Sequence, residues 1–322
     1  MKRFIGLLLA LAACQAAAQT YPSKPIRLVN AFPPGGPTDL IARLVTERMA
    51  KDLGVPVVNE NRAGAAGNVG AAEVARAAPD GHTALIAVFS IVTSNPHLYP
   101  GMPFDPLKDF APVTALASFD SVLIAHPSVP AANVRELVAF ARANPGKLNY
   151  ASAGKASPGH LTGENFRVRT GAVMTHVPYK GNAEAIRSVL AGETQIMFTP
   201  TTGALPHIQG GKRVDALGEI DAESIDALPG VASLSAQGVE GFDARNLPAW
   251  YGLVVPAATP REAVARLNAA TVKALRDPEV EQRLRTARIF VIANTPEAFG
   301  AMMREGHVAW GRVIRETGVK GE

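Results

Sequence analysis

The strongest constraint on this chain is an alternation of short apolar strands with amphipathic helices, and that alternation occurs twice. Residues 26–31 (IRLVNA) read as a buried strand. A Gly/Pro turn follows, then a helix from Thr38 to Gly54 with Leu40, Ile41, Leu44 and Val45 on one face. Residues 56–60 (PVVNE) and 83–89 (TALIAVF) read as further strands, with a glycine-rich turn and a helix near 69–77 between them. Such a β-α-β-α-β run implies a parallel sheet with helices on its faces.

The pattern restarts at 121–125 (SVLIA). Asn133 caps a helix with Glu136 three residues on and Val134, Leu137, Val138 and Ala141 at helical spacing. Short strands are expected at 148–151, 174–177 and 195–198, with a helix to about Arg169 and another whose face carries Ala183, Ile186 and Leu190. Residues 250–255 (WYGLVV) return as a long strand, and 260–276 and 296–317 are helical. The expected organisation is two similar α/β lobes, residues 19–122 with 250–322 and residues 123–249. The strands at 121–125 and 250–255 make the crossings.

Ahead of this pattern, Lys2 and Arg3 precede an apolar run over 4–13, then Ala16-Ala17-Ala18. A charged start, a short greasy stretch and an A-x-A end describe a secretory signal peptide over 1–18. The greasy stretch is too short to span a bilayer. Leu11-Ala12-Ala13-Cys14 also reads as a lipobox with Cys14 as the lipidated residue, so two processing routes stand, both leading to the periplasm. Cys14 is the only cysteine. A chain cut after Ala18 has no disulfide, thiol chemistry or cysteine-ligated metal. With 322 residues, 47% of them apolar, the core has to supply stability by itself. The 32 basic and 28 acidic residues give a net charge of +4, without the concentrated basic face a nucleic-acid partner requires.

Each half contains one strand–turn–helix junction rich in small residues. The first is Pro33-Pro34-Gly35-Gly36-Pro37-Thr38-Asp39, and the second is Ala151-Ser152-Ala153-Gly154-Lys155-Ala156-Ser157-Pro158-Gly159-His160. Helix starts leave amide N–H groups without partners and carry the positive end of the dipole, so they suit anions. Thr38 and Ser157 add hydroxyls. Asp39 favours its helix dipole but repels an anion at the same turn, so it is expected to face a donor such as a ligand hydroxyl, a ligand amine or water.

Enzyme patterns fit poorly. Gly64-x-x-Gly67-x-x-Gly70 lacks dinucleotide-loop spacing, and Gly154-Lys155-Ala156 is not a P-loop. No G-x-S-x-G elbow occurs. Ser157 and His160 lie three apart without an evident orienting acid. The seven histidines include no pair at i, i+3 or i, i+4, so local spacing supports no metal site. No cofactor, catalytic residue or metal ligand is expected.

Several motifs carry a resemblance. They are Phe32-x-Pro-Gly-Gly-x-x-Asp39, Glu60-Asn61-Arg62 with Gly64-x-x-Gly67-Asn68, and Ala78-Pro79-Asp80-Gly81. Further along stand Asn144-Pro145-Gly146-Lys147-Leu148-Asn149-Tyr150-Ala151-Ser152-Ala153-Gly154, His176-Val177-Pro178-Tyr179-Lys180-Gly181 and Trp250-Tyr251-Gly252-Leu253. In this order they resemble the substrate-binding proteins of tripartite tricarboxylate transporters, the Bug family, over essentially the whole mature chain. The resemblance implies a periplasmic-binding-protein fold: two α/β lobes, each a mainly parallel sheet flanked by helices, with a cleft between them. It implies capture of a small carboxylated ligand, such as a di- or tricarboxylate, an aromatic acid or an acidic amino acid. Ligand contacts carry over to Phe32, Gly36, Thr38 and Asp39, and to Ala153, Gly154 and Ser157, with Ser90 after the third strand. The chain departs from the family at Lys155-Ala156 and at Ser188, Gln195 and Thr199. Thr199-Pro200-Thr201-Thr202 is expected to face the ligand and alter selectivity. The expected partners are transporter subunits in the membrane or, alternatively, a sensor kinase, with the protein acting as a monomer.

Overall fold

The computed structural model describes residues 21–210, 215–219, 228–242 and 249–321. The leader at 1–18, with Cys14, lies outside the described residues. The first set of elements is β1 (Ile26–Asn30), α1 (Pro37–Leu53), β2 (Val57–Asn61), α2 (Asn68–Ala75), β3 (Thr83–Val88), the short α3 (Phe89–Thr93) and α4 (Asn95–Leu98), and the long β4 (Phe110–Phe119). The second set is β5 (Ser121–Ala125), α5 (Val134–Ala143), β6 (Asn149–Ser152), α6 (Pro158–Thr170), β7 (Thr175–Pro178), α7 (Asn182–Leu190), β8 (Ile196–Pro200), α8 (Thr201–Gln209) and β9 (Asp215–Glu219). The chain ends with β10 (Trp250–Pro256), α9 (Arg261–Leu275), α10 (Pro278–Thr286), β11 (Ile289–Val291) and α11 (Pro296–Thr317).

These strands form two sheets, ordered β11-β4-β10-β3-β1-β2 and β7-β6-β8-β5-β9. In the first, β1 pairs in parallel with β2 and β3; in the second, β6 pairs in parallel with β7 and β8. These are the strands joined by crossover helices, as the alternation predicts. The remaining pairs, β3–β10, β10–β4, β4–β11, β8–β5 and β5–β9, are antiparallel, so both sheets are mixed.

Both faces of each sheet are covered. Val29, Leu85 and Ala87 pack on one side of the first sheet with Trp250, Phe299 and Trp310; Leu28, Ala84 and Ile86 pack on the other with Ile41, Val45 and Leu267. A strand buried on both faces needs apolar residues at every position, hence the continuous runs in the sequence. In the second sheet Leu123, Tyr150 and Phe198 face α5 and α6, while Val122, Ile124 and Met197 face α7 and α8.

Local signals set most helix ends. Pro37 occupies the first helical position of α1, and Gly54 closes it at φ 72°. At α5 the Asn133 side chain accepts the Glu136 N–H at 2.9 Å, while the Glu136 carboxylate accepts the Ala132 N–H at 2.8 Å. One face differs from its expected position. Helix α7 buries Ala185, Ile186 and Val189 against the second sheet, whereas Ala183 is exposed and Leu190 only partly buried. Strands β4, β9 and β11 and helices α3, α4, α8 and α10 were not among the expected elements.

Candidate functional site

Strand direction determines where the two junctions lie. Strand β4 is antiparallel to β10, and β10 to β3, so β1 to β4 all end on one edge of the first sheet. Strand β5 is antiparallel to β8, with Ser121 opposite Pro200, so it starts at the edge where β6, β7 and β8 end. Only Asp120 separates β4 from β5. The carboxyl edges of both sheets therefore meet at Asp120, and the turns after β1 and β6 both lie on these edges. Ligands of open α/β sheets bind at such edges. Buried apolar contact also links the two sides. Ala156 and Leu161 share one cluster with Ala31, Ile91, Trp250 and Trp310, and Phe32 packs against it.

The first turn is pinned by side-chain amides. Asn30 is fully buried, and its Oδ1 accepts the Phe32 N–H at 3.2 Å. Asn61 Nδ2 donates to the Phe32 carbonyl at 2.9 Å. Asp39 is 3% exposed. Its carboxylate accepts the Gly35 N–H at 3.0 Å, Arg43 Nε at 2.8 Å and Asn59 Nδ2 at 3.2 Å. The Arg43 guanidinium first, then the Gly35 amide, hold this carboxyl below the usual aspartate range. The donors Asp39 was expected to meet are thus supplied by the protein itself.

The second turn is tighter. Gly154 sits at φ 127° and Ala156 at φ 58°, in the left-handed region that an alanine adopts only when its surroundings hold it there. Ser152 Oγ donates to the Gly154 carbonyl at 2.8 Å and accepts the Gly154 N–H at 3.2 Å. The Ser157 N–H reaches Gly154 O at 3.3 Å. Ser157 caps α6 by accepting the His160 N–H at 3.4 Å, and His160 Nδ1 accepts the Ala156 N–H at 2.9 Å. This is a variant of the capping box, with histidine in the usual Glu/Gln place and closing on the N–H one residue before the cap. Since Nδ1 is committed to Ala156, the Ser157–His160 pair forms a helix start rather than a nucleophile and base.

The N–H groups of Gly35, Gly154, Ala156 and Ser157 are therefore taken by protein acceptors. Those of Gly36, Thr38, Ala153 and Gly159 have no protein acceptor among the described residues. Gly36, Thr38 and Gly159 lie at the start of α1 or α6, where the helix dipole is positive, and Ala153 directly follows β6 in the turn that leads to α6.

Other expected positions fall on the same edges. Ser90 lies in the first turn of α3, half-buried, with its carbonyl accepting the Ser94 N–H at 3.2 Å. Thr199 is 1% exposed, and its hydroxyl has no partner among the described residues. Lys155 and Lys180 are exposed, and the Lys180 N–H donates to Glu184 at 3.1 Å. Sequence reasoning missed that several buried polar atoms have no partner among the described residues: Asn30 Nδ2, Trp250 Nε1 and Trp310 Nε1. The one available signal was an asparagine closing an otherwise apolar strand, at Asn30. The Asp120 carboxylate accepts from Arg288 Nε at 3.1 Å, and burial raises it above the ordinary range.

A histidine pair braces the second turn. The rings of His160 and His176 stack with centroids 3.8 Å apart and planes 5° apart, beside the Tyr150 ring. His176 Nε2 lies 2.7 Å from Ser152 Oγ. Burial, then the neighbouring His160, push His176 down to about 4; burial also lowers His160.

Two helix-flanked sheets joined edge to edge by chain crossings define a periplasmic-binding-protein architecture. The chain belongs to the tripartite tricarboxylate transporter family receptors, which it matches over residues 41–319. Protein BugT of Bordetella pertussis is 31% identical over 319 residues, 98% of this chain and 97% of its own length. Among solved structures, the R. palustris protein Rpa4515 with adipate is 29% identical with a TM-score of 0.80, covering 94% of this chain and all of that one. MatC from Rhodopseudomonas palustris with bound malate is 31% identical with a TM-score of 0.77, covering 91% of this chain and all of that one. The chain is thus a periplasmic solute-binding receptor by family.

Proposed function

We propose that this protein captures a small organic acid between its two sheets and delivers it to a membrane transporter. The observation that carries this reading is a set of amides with no protein acceptor among the described residues, Gly36 and Thr38 at the start of α1 and Ala153 and Gly159 in the turn and first turn of α6, on the two meeting edges. Hydrogen bonds to a charged group contribute about 1.5–3 kcal/mol each. Three or four of them suit micromolar binding, roughly −8 kcal/mol, once ordering costs are met. The two ends of a dicarboxylate fit two such cradles, and adipate and malate, found in the two Rhodopseudomonas relatives, are both dicarboxylates.

In this reading Phe32, Gly36 and Thr38 form one wall and Ala153, Gly154 and Ser157 the other. Ser90 and Thr199 flank them, and Asp39 shapes the first wall through Gly35. Residues 19–122 with 250–322 move as one lobe and 123–249 as the other, so both cradles are filled only when the lobes close.

The test is calorimetry of the mature protein with dicarboxylates, tricarboxylates, aromatic acids and acidic amino acids. Gly36→Leu serves as the site variant. A Cβ at Gly36 meets only Pro33 O, at 3.9 Å, so the variant has room to fold while its side chain crowds the cradle. Binding at least about tenfold weaker, near 1.4 kcal/mol, is expected. Unchanged affinity in a folded Gly36→Leu protein, or no binding across the panel, would overturn the reading.

A further inference from the structure

The shape of the second turn depends on where protons sit. His160 Nδ1 accepts the Ala156 N–H, so the ring is neutral and carries its proton on Nε2. An imidazolium at His160 would turn an N–H against an N–H and release Ala156 from its left-handed conformation. The single Ser152 hydroxyl proton goes to Gly154 O, so His176 Nε2–H donates to Ser152 Oγ, and this serine also receives the Gly154 N–H. The two rings lie face to face, and a charge on one opposes a charge on the other. Other charged groups also bear on the pair. Lys155, on the turn itself, disfavours protonation. Glu164, on α6, favours it, but Glu164 is already engaged by Arg167 at 2.8 Å and by the Tyr150 hydroxyl at 2.6 Å.

We propose that His160 and His176 are positioning residues for the turn carrying Ala153–Ser157, and that a proton taken up by the pair unlocks this turn. The consequence for ligand release rests on the acid-binding reading. The lock itself does not, because it is a property of the turn alone. A proton at His160 Nδ1 displaces the Ala156 N–H directly. A proton at His176 places a cation against the His160 ring, where Lys155 already opposes positive charge, and the rings separate.

The experiment reads amide-exchange protection of Ala156 and Gly154 by NMR in the full mature protein, from about pH 7.5 to about pH 4. Wild type is compared with His160→Gln and His176→Gln, and near-UV circular dichroism confirms that each stays folded. Glutamine at residue 160 keeps an acceptor for the Ala156 N–H but gains no proton in this range. In wild type, protection at Ala156 is expected to fall at least about tenfold across the range, following the histidine ring titration. His160→Gln should hold protection flat. His176→Gln should move the inflection to higher pH, because His160 loses both its stacked cover and a repelling neighbour. An equal fall in His160→Gln, or no fall in wild type, overturns the proposal.

Calorimetry with malate and adipate as probes at each pH separates the two claims. If neither acid binds at any pH while Ala156 protection still follows the histidines, the lock stands and the acid-binding reading falls. If an acid binds equally well at both ends of the range while protection collapses with the histidine titration, the lock stands and its consequence for ligand release is overturned.

Discussion

The turns after β1 and β6 occupy equivalent places in the two sheets but are held by different chemistry. In the first, a buried carboxylate ties Gly35, Arg43 and Asn59 together, and its charge is stabilised by those donors. In the second, two neutral imidazoles and a serine hold Gly154 and Ala156. The first turn leaves its capping glycine open to space, whereas the second forces an alanine to positive φ and wedges a glycine under β8. Two consequences follow. The first turn tolerates added bulk and is indifferent to mild acid. The second is sterically closed and responds to protons.

The largest effect is expected from breaking the steric side of this contrast. A Cβ on Gly159 would come within 2.6 Å of the Phe198 carbonyl, a backbone atom that cannot swing aside. Gly159→Val should cost about 2–4 kcal/mol as α6 is pushed off β8. Gly36→Ala, at the corresponding helix start of α1, should stay within about 0.5 kcal/mol of wild type. Urea unfolding midpoints measure both, and equal losses would erase the distinction between the turns.

This difference was only half legible in the sequence. The Gly/Pro content of both turns, and the strands and helices around them, follow from patterns within a few residues of one another. Strand β4 escaped because Ala111, Pro112, Ala115 and Ala117 give it little strand character, although neighbours on both sides bury Ala115 and Ala117. Helix α10 escaped because PEVEQRLRT shows few apolar positions, and only Val280 and Leu284 face the core. The histidine brace is set by tertiary structure: His160 on α6 and His176 on β7 are far outside i, i+4 spacing and meet over Tyr150 of β6. Likewise the packing around the strand ends, which leaves Asn30 Nδ2 and Thr199 Oγ1 without partners among the described residues, cannot be read from the neighbours of either residue in sequence.

The electrostatic side of the contrast comes next in size. Asp39→Ala leaves the Gly35 and Asn59 donors facing a gap, at a cost of about 1–3 kcal/mol. Arg43 adds little, because it is largely exposed. The Asp39 carboxyl is depressed in the folded state, so its contribution is complete above its unfolded value of about 3.9 and is lost as pH falls through the folded value. His176 acts at milder acidity. Its folded value is about 4 against an ordinary value of 6.5, so the unfolded chain binds the extra proton between them and stability falls as pH drops through that window. After discounting for partial exposure, the loss is roughly 2 kcal/mol. Thermal melts at pH steps should therefore show wild type declining through this window, His176→Gln declining less and Asp39→Ala keeping the wild-type slope there. A Asp39→Ala protein that loses this slope would make the two turns one titrating unit.

The smallest effect sharpens the comparison at the helix starts themselves. Helix α1 begins at Gly36, with no side-chain cap, whereas α6 begins at Ser157, whose hydroxyl accepts the His160 N–H over a long 3.4 Å. Replacing a capping serine by alanine typically costs about 1 kcal/mol, and a bond of this length puts Ser157→Ala near or below that. The reciprocal half of the box, His160 Nδ1 to Ala156 N–H, is the shorter bond at 2.9 Å, so the turn should keep its shape when the serine is lost. Ala156 exchange protection should therefore fall less in Ser157→Ala than in a His160→Ala protein at neutral pH. The reverse order would mean that the serine sets the turn and the imidazole follows it.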